Sequence, residues 1–233
     1  MAHSSKRFDA ELNLVTSRVL QMGGLVESQV NKAIGALVDL SSERAAEVLG
    51  VEEQVNQMEV EVDHELSRII VTRQPTAVDL RLLIAISKSI GNLERVGDEA
   101  ARIARTVQRL NDVGVSSKLR LPLSEVANEA GMASSSLRRS LDAFARLDTD
   151  LALEVIKGDK SIDQEFEGLL RRLITYMIED PRTISSSIDL VFVAKAIERV
   201  GDHAKNLAEQ TIYVVKGTDV RHASVADVEN VVR

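Results

Sequence analysis

Two long segments of the chain carry apolar residues at alternating spacings of three and four. One segment carries Leu190, Val193, Ile197, Val200, Ala204, Leu207, Thr211 and Val214 at these positions. The other carries Leu83, Ile86, Ile90, Leu93, Gly97, Ala100, Val107 and Leu110, with one gap in the pattern at 103 or 104. This spacing places the residues on one face of an α-helix, as expected for the core side of an amphipathic helix. Long helices joined by short loops predict an antiparallel helical bundle.

The two segments belong to an internal repeat. The pentapeptide Glu-Arg-Val-Gly-Asp at 94–98 recurs intact at 198–202, an offset of 104 residues. Pro75 corresponds to Pro181 at an offset of 106, and Leu37 corresponds to Phe144 at an offset of 107. A slowly drifting offset is typical of a tandem duplication in which loops have gained or lost a few residues.

Each repeat contains three predicted helices. Ser41 or Ser42 and Asp148 or Thr149 are suitable N-caps for the second helix of each repeat. The prolines are expected to end those helices, because the residue before a proline avoids the helical conformation. We therefore predict an all-α fold of six helices, arranged as two tandem three-helix bundles. Its parts are a first repeat over 8–110, a linker over 111–118, a second repeat over 119–217 and a C-terminal tail over 218–233.

Composition and charge exclude several classes of function. The chain has 29 basic and 36 acidic residues, a net charge of −7, and 3% aromatic residues, which argues against nucleic-acid binding. It has no cysteine, so neither a disulfide framework nor a thiolate metal site is available. The absence of a long apolar run and of an N-terminal apolar signal predicts a cytoplasmic protein.

Acidic residues occupy positions where the helical pattern predicts a core. Asp159 falls in the apolar stripe of the fifth predicted helix, and Glu52 and Glu59 fall in that of the second. A charge in a core is costly unless it is paired or bound to a metal.

Pairs of carboxylates four residues apart extend this pattern, since such pairs project from one side of a helix. If the second and third helices of each repeat are neighbours, two clusters form. The predicted ligands are Asp159, Asp163, Glu198 and Asp202 in the second repeat and Glu52, Asn56, Glu94 and Asp98 in the first. Ligand sets made only of oxygen suit magnesium, manganese, calcium or oxidised iron. The alternative is that these carboxylates are solvated surface groups neutralised by Arg95 and Arg199.

These motifs resemble those of the PhoU family, the accessory proteins of phosphate-specific transport. The resemblance rests on the duplicated pentapeptide, on the extension of its second copy by His203 and Ala204, and on the segments at 75–81, 159–163 and 217–222. It covers nearly the whole chain, from about residue 8 to 222.

The resemblance implies a fold of two three-helix bundles that bind iron, manganese, magnesium or another divalent metal through paired acidic-x-x-x-Asp motifs. Asn56 departs from the acidic pattern, which implies a weaker first site. The family resemblance also implies that the protein is a negative regulator of phosphate uptake and of the phosphate-starvation response. Such a regulator is expected to be peripheral to membrane complexes. The implied partners are the ATPase of a phosphate ABC transporter, a phosphate-sensing histidine kinase and a second copy of the chain.

The sequence is also compatible with two other functions. A di-iron carboxylate oxidoreductase needs two Glu-x-x-His motifs, and only the one formed by Glu61 and His64 is present. A metal-free helical adaptor would carry the carboxylates as surface groups. The apolar residues of the tail, at 225, 228, 231 and 232, indicate an amphipathic segment that could dock on the bundle, on a second subunit or on a partner.

Overall fold

The computed structural model describes residues 2–112 and 122–233, with side chains from residue 6 onward. These residues form eight α-helices and no β-strand, so the predicted all-α class is confirmed. The helices are α1 (Ala2–Asp39), α2 (Ser42–Leu49), α3 (Glu52–Arg73), α4 (Ala77–Asp112), α5 (Leu123–Arg146), α6 (Thr149–Glu179), α7 (Ile184–Lys216) and α8 (Val225–Val232). A 3-10 turn, Pro181–Thr183, joins α6 to α7.

The long helices of each half pack against one another, and the two halves also share a core. Helices α1, α3 and α4 are mutual neighbours, as are α5, α6 and α7. In addition α4 packs along α7 and α1 along α5, so that one apolar cluster extends through both halves. The arrangement into two tandem bundles stays a prediction, and the shared core is a feature that it does not describe.

Both predicted apolar stripes are buried along their full length. Every stripe residue of α4 and of α7 is shielded from solvent, including Gly97 and Thr211. The period of three and four therefore identified the core faces of these two helices correctly.

Helix capping follows the predicted residues in the second helix of each repeat. The Ser41 hydroxyl accepts a hydrogen bond from the backbone N–H of Arg44 at the start of α2. The Asp148 carboxylate accepts one from the N–H of Leu151 at the start of α6, with an N–O distance of 2.9 Å. These side chains satisfy donors that the first turn of a helix leaves without a partner.

The prediction of six helices is wrong in two places. The second helix of the first repeat is interrupted at Gly50 and Val51, which divides it into α2 and α3. Glycine disfavours helix by about 1 kcal/mol relative to alanine, and here the chain ends α2 at that residue. The second difference is α8, which lies in the predicted tail.

The C-terminal helix α8 docks on the chain's own second half. Val228 and Val232 are buried against apolar residues of α6 and α7. Lys157 on α6 forms an ion pair with Glu229, and the Lys216 ammonium donates to the backbone carbonyl of Val232. Of the three docking surfaces open to the tail, its own bundle is the one observed.

The predicted linker at 111–118 lies mostly outside the described residues, as does the predicted start of the second repeat at 119. Asn111 and Asp112 form the last turn of α4. The amide of Asn111 donates to the backbone carbonyl of Leu40, which ties the end of α4 to the turn after α1.

The glycine of each pentapeptide allows a close approach between helices. A Cβ on Gly201 of α7 would lie 2.9 Å from Cδ1 of Ile162 on α6. A Cβ on Gly97 of α4 would lie 3.2 Å from Oε1 of Gln29 on α1 and 3.4 Å from Cγ1 of Val55 on α3. The same glycine therefore allows neighbouring helices to pack closely in each half.

Candidate metal centre

Three carboxylates converge where α6 passes α7. Asp159 and Asp163 are one helical turn apart on α6, and Asp202 is on the facing side of α7. One oxygen from each lies within 4.8 Å of the others, a grouping suited to a single cation. We call these three residues the α6–α7 carboxylate cluster.

Burial and mutual repulsion make this cluster electrostatically strained. Asp159 is 6% exposed, as its position in the apolar stripe predicted, and its Oδ2 lies 2.7 Å from the ammonium of Lys205. Burial raises the pKa of Asp202 to about 6, with further contributions from Glu198, Asp159 and Asp163. Burial and the neighbouring carboxylates also raise the pKa of Asp163. A bound cation would relieve this repulsion, since an opposite charge favours the ionised form.

Glu198, the fourth predicted ligand, lies beside the cluster but makes a different contact. Both of its carboxylate oxygens accept from the ammonium of Lys195, at 2.6 and 2.7 Å. Its charge raises the pKa of both Asp163 and Asp202, which places it next to them. The structure thus brings three of the four predicted residues together and holds the fourth at the edge.

Glu129 is an acidic neighbour that the sequence analysis missed. It lies on α5 and is 1% exposed, and neither carboxylate oxygen has a hydrogen-bond partner among the described residues. Burial raises its pKa to about 8, and Glu198 and Glu165 add to the shift. The signal was available in the sequence, because Glu129 stands one helical turn from Val126 and Ala133 on the buried face of α5.

The orphaned carboxyl of Glu129 supports a fit between this region and a metal ion. Unpartnered buried polar groups are rare in folded proteins and need a physical explanation. Asp159, Asp163 and Asp202 supply only oxygen donors, which suit magnesium, manganese or iron. The described residues therefore place a cluster that could hold a metal in the second half.

The predicted residues of the first half are more dispersed. Glu52 forms a bidentate contact with Arg105, at 2.6 and 2.7 Å, and Asn56 is exposed. Burial raises the pKa of Glu94, and Asp98 and Glu59 contribute to the shift. Within the described ranges, no group of three ligand atoms as close as that of the second half occurs here.

Glu59 is a first-half carboxylate whose surroundings resemble those of the residues in the α6–α7 carboxylate cluster. Burial raises its pKa too, followed by the charges of Asp63 and Asp98. The sequence indicated this burial, because Glu59 occupies a position in the apolar stripe of the second predicted helix. The charges of Glu59, Glu94 and Asp98 act on one another. Glu52 also acts on Glu94 but forms an ion pair with Arg105.

The two histidines of the sequence motifs lie in different environments. Glu61 and His64 are exposed on α3, so this Glu-x-x-His motif does not face a bundle core. His203 lies between α4 and α7, with Nδ1 3.0 Å from Oδ1 of Asn92. Burial, together with Arg95 and Arg199, lowers the pKa of His203 to about 4.

Comparison with known proteins gives one consistent family. The PhoU domain model matches residues 19–107 and again residues 126–211. The chain is 47% identical over 232 residues to a phosphate-specific transport system accessory protein PhoU homolog of Pseudomonas aeruginosa, covering 98% of this chain and 95% of that one. It is 44% identical over 221 residues to the phosphate-specific transport system accessory protein PhoU of Escherichia coli K12, covering 94% and 90%.

Solved structures agree with these sequence relatives. The crystal structure of PhoU from Pseudomonas aeruginosa superposes with a TM-score of 0.87 at 47% identity, covering 91% of this chain and 100% of that one. The crystal structure of the phosphate transport system regulatory protein PhoU from Streptococcus pneumoniae superposes with a TM-score of 0.83 at 26% identity, covering 91% and 99%. In the part of the chain that the structure describes, no helix combines the length and apolar character needed to span a bilayer.

Proposed function

The chain belongs to the PhoU family, and from that premise we propose that it holds the phosphate-starvation response off when phosphate is plentiful. Members of this family are regulatory accessory proteins of phosphate transport and not enzymes. The observation that carries the proposal is a family match that spans both halves of the chain, together with relatives that cover more than nine-tenths of it.

We propose that the protein connects a phosphate transporter to a signalling kinase. The proposed partners are the ATPase of a phosphate ABC transporter, a phosphate-sensing histidine kinase and a second copy of this chain. The protein would then act in the cytoplasm, at the surface of membrane complexes. We also propose that residues 8–110 and 119–217 are duplicated helical units, with 218–233 as a C-terminal extension. The double match of the domain model supports that division.

The proposed metal centre is the α6–α7 carboxylate cluster, with Glu198 and Glu129 in support. Asp163, which is exposed, and Asp202, which is half-buried, would give a cation access from solvent. When bound, the metal supplies positive charge that neutralises the cluster and fixes α6 relative to α7. A metal that binds only the folded state also stabilises it. For the first half, with Glu52, Asn56, Glu94 and Asp98, we propose weaker binding.

We expect deletion of the gene to switch on a phosphate-starvation reporter in phosphate-rich medium, because the repressing link is lost. Wild-type protein supplied in trans should restore repression. The D163N/D202N variant, which removes two charges from the cluster, should restore it only in part. The E53Q/D142N variant removes two exposed carboxylates outside both clusters and serves as the matched control.

Reporter activity in cells of each genotype distinguishes the alternatives. An unchanged reporter after deletion would contradict the regulatory role. Full repression by D163N/D202N would instead favour the metal-free adaptor, in which the carboxylates play no part in regulation. A di-iron oxidoreductase finds no support, since the family is not enzymatic and the Glu61–His64 motif faces solvent.

A further inference from the structure

A second polar site lies between the two halves, next to the metal centre, with which it shares Asp202. It is a cleft of about 630 Å³ between α4 and α7, covered at one side by residues 221–223. Its size falls in the range of small-molecule sites. Both copies of the pentapeptide contribute to it, through Arg95 and Asp98 on α4 and Arg199 and Asp202 on α7.

The cationic side chains of this cleft differ in their partners. Arg199 and Arg102 both contact Glu99, at 2.9 and 3.4 Å. Lys205 is paired with Asp159, and Arg221 is paired with Asp219. Arg95 also lines the cleft, yet it forms no ion pair or hydrogen bond within the described part of the chain.

The repeat explains why Arg95 does not make the contact across the two halves that Arg199 makes. Arg199 reaches across to Glu99 on the other half, and Glu99 is 4% exposed. The residue equivalent to Glu99, at the offset of 104, is His203. An imidazole carries no negative charge in either protonation state, so the contact made by Arg199 has no counterpart for Arg95. His203 is instead held by Asn92.

We propose that this cleft binds inorganic phosphate or a small phosphate-bearing anion, with Arg95 as the principal contact. A guanidinium presents paired donors that match phosphate oxygens. The residues that line the cleft include no Phe, Tyr or Trp side chain.

Asp98 makes phosphate a better fit than sulfate. It lines the same cleft one helical turn from Arg95. A carboxylate can only accept hydrogen bonds when it is ionised. Inorganic phosphate keeps a proton to donate at neutral pH, whereas sulfate has none and would be repelled.

Isothermal titration of metal-depleted, full-length protein with sodium phosphate at constant ionic strength tests this site. We expect saturable binding to wild type, and binding about tenfold or more weaker in R95Q, since charge-assisted hydrogen bonds are lost. R171Q is the matched control, because Arg171 is exposed and contacts Glu167 on its own helix, away from the cleft. R95K should bind with intermediate affinity, because it keeps the charge but not the paired donors.

Further arms identify the ligand. Pyrophosphate and glycerol 3-phosphate, titrated in the same way, show whether free phosphate or a larger phosphate compound binds more tightly; a preference for any of the three supports the site. No saturable binding of any of them, or equal affinity in R95Q and wild type, would overturn it. Sulfate binding as tightly as phosphate would overturn the assignment to phosphate. The test uses purified protein, so its outcome does not depend on the regulatory role.

Discussion

Replacing Glu129 by glutamine is expected to stabilise the metal-free protein by about 4 kcal/mol at pH 8, with almost no gain at pH 4. Burial raises the pKa of this carboxyl from 4.5 to about 8. Below pH 4.5 the carboxyl is protonated in both the folded and the unfolded chain, so it imposes no electrostatic cost. Between pH 4.5 and 8 the unfolded chain loses the proton while the folded chain keeps it, so stability falls as pH rises. Above pH 8 the whole cost is present.

Urea unfolding of chelator-treated wild type and E129Q between pH 4 and pH 9 measures this difference. The gap in the free energy of unfolding should widen with pH from about 4.5 to about 8 and then level off. E53Q is the matched control, since Glu53 is exposed and its substitution should leave the gap near zero throughout. A gap that does not change with pH would show that Glu129 ionises normally in the folded protein.

Truncating Phe144 to alanine is expected to lower the free energy of unfolding by about 3–5 kcal/mol. Phe144 is 1% exposed near the end of α5 and belongs to the core that both halves share. For a chain of this length the loss corresponds to a fall in Tm of roughly 10 °C. The cost combines the lost transfer of the ring from water with the cavity it leaves.

The chain offers a matched control for this substitution. Phe192 on α7 is 55% exposed, so F192A should change the free energy of unfolding by no more than about 0.5 kcal/mol. Thermal unfolding of both variants followed by circular dichroism provides the measurement. Equal losses in the two variants would contradict the position of Phe144 in the core.

The core faces could be predicted because burial leaves a direct mark on the sequence. The stripes of α4 and α7 follow the helical period, with one gap in α4, and Ser41 and Asp148 mark helix starts by their capping chemistry. The break at Gly50 could not be predicted in this way. Gly158 stands at a similar place in the second repeat, yet α6 continues through it. The presence of a glycine alone therefore does not decide between these outcomes.

The metal centre could be predicted only in part, because sequence spacing does not fix side-chain partners. Asp159, Asp163 and Asp202 lie together as expected. Glu198 contacts Lys195, three residues earlier on its own helix, and the spacing allowed either partner. Glu129 comes from α5, whereas the predicted clusters combined only the second and third helices of each repeat.

The cleft between α4 and α7 could not be predicted because it arises from the packing of the two halves. The two pentapeptides are 104 residues apart, and each lies within its own repeat. Their arginines meet only because α4 packs along α7. The asymmetry between Glu99 and His203 is visible in the sequence, but its consequence for Arg95 requires the fold.

Metal content is the most direct test of the proposed centre. Untagged wild type, reconstituted with iron, manganese and magnesium and then desalted, should retain a stoichiometric amount of at least one metal by inductively coupled plasma mass spectrometry. D163N/D202N should lose it, and E53Q/D142N should retain it. A wild type that is metal-free after reconstitution, or a D163N/D202N variant that retains as much metal as wild type, would contradict binding by the α6–α7 carboxylate cluster.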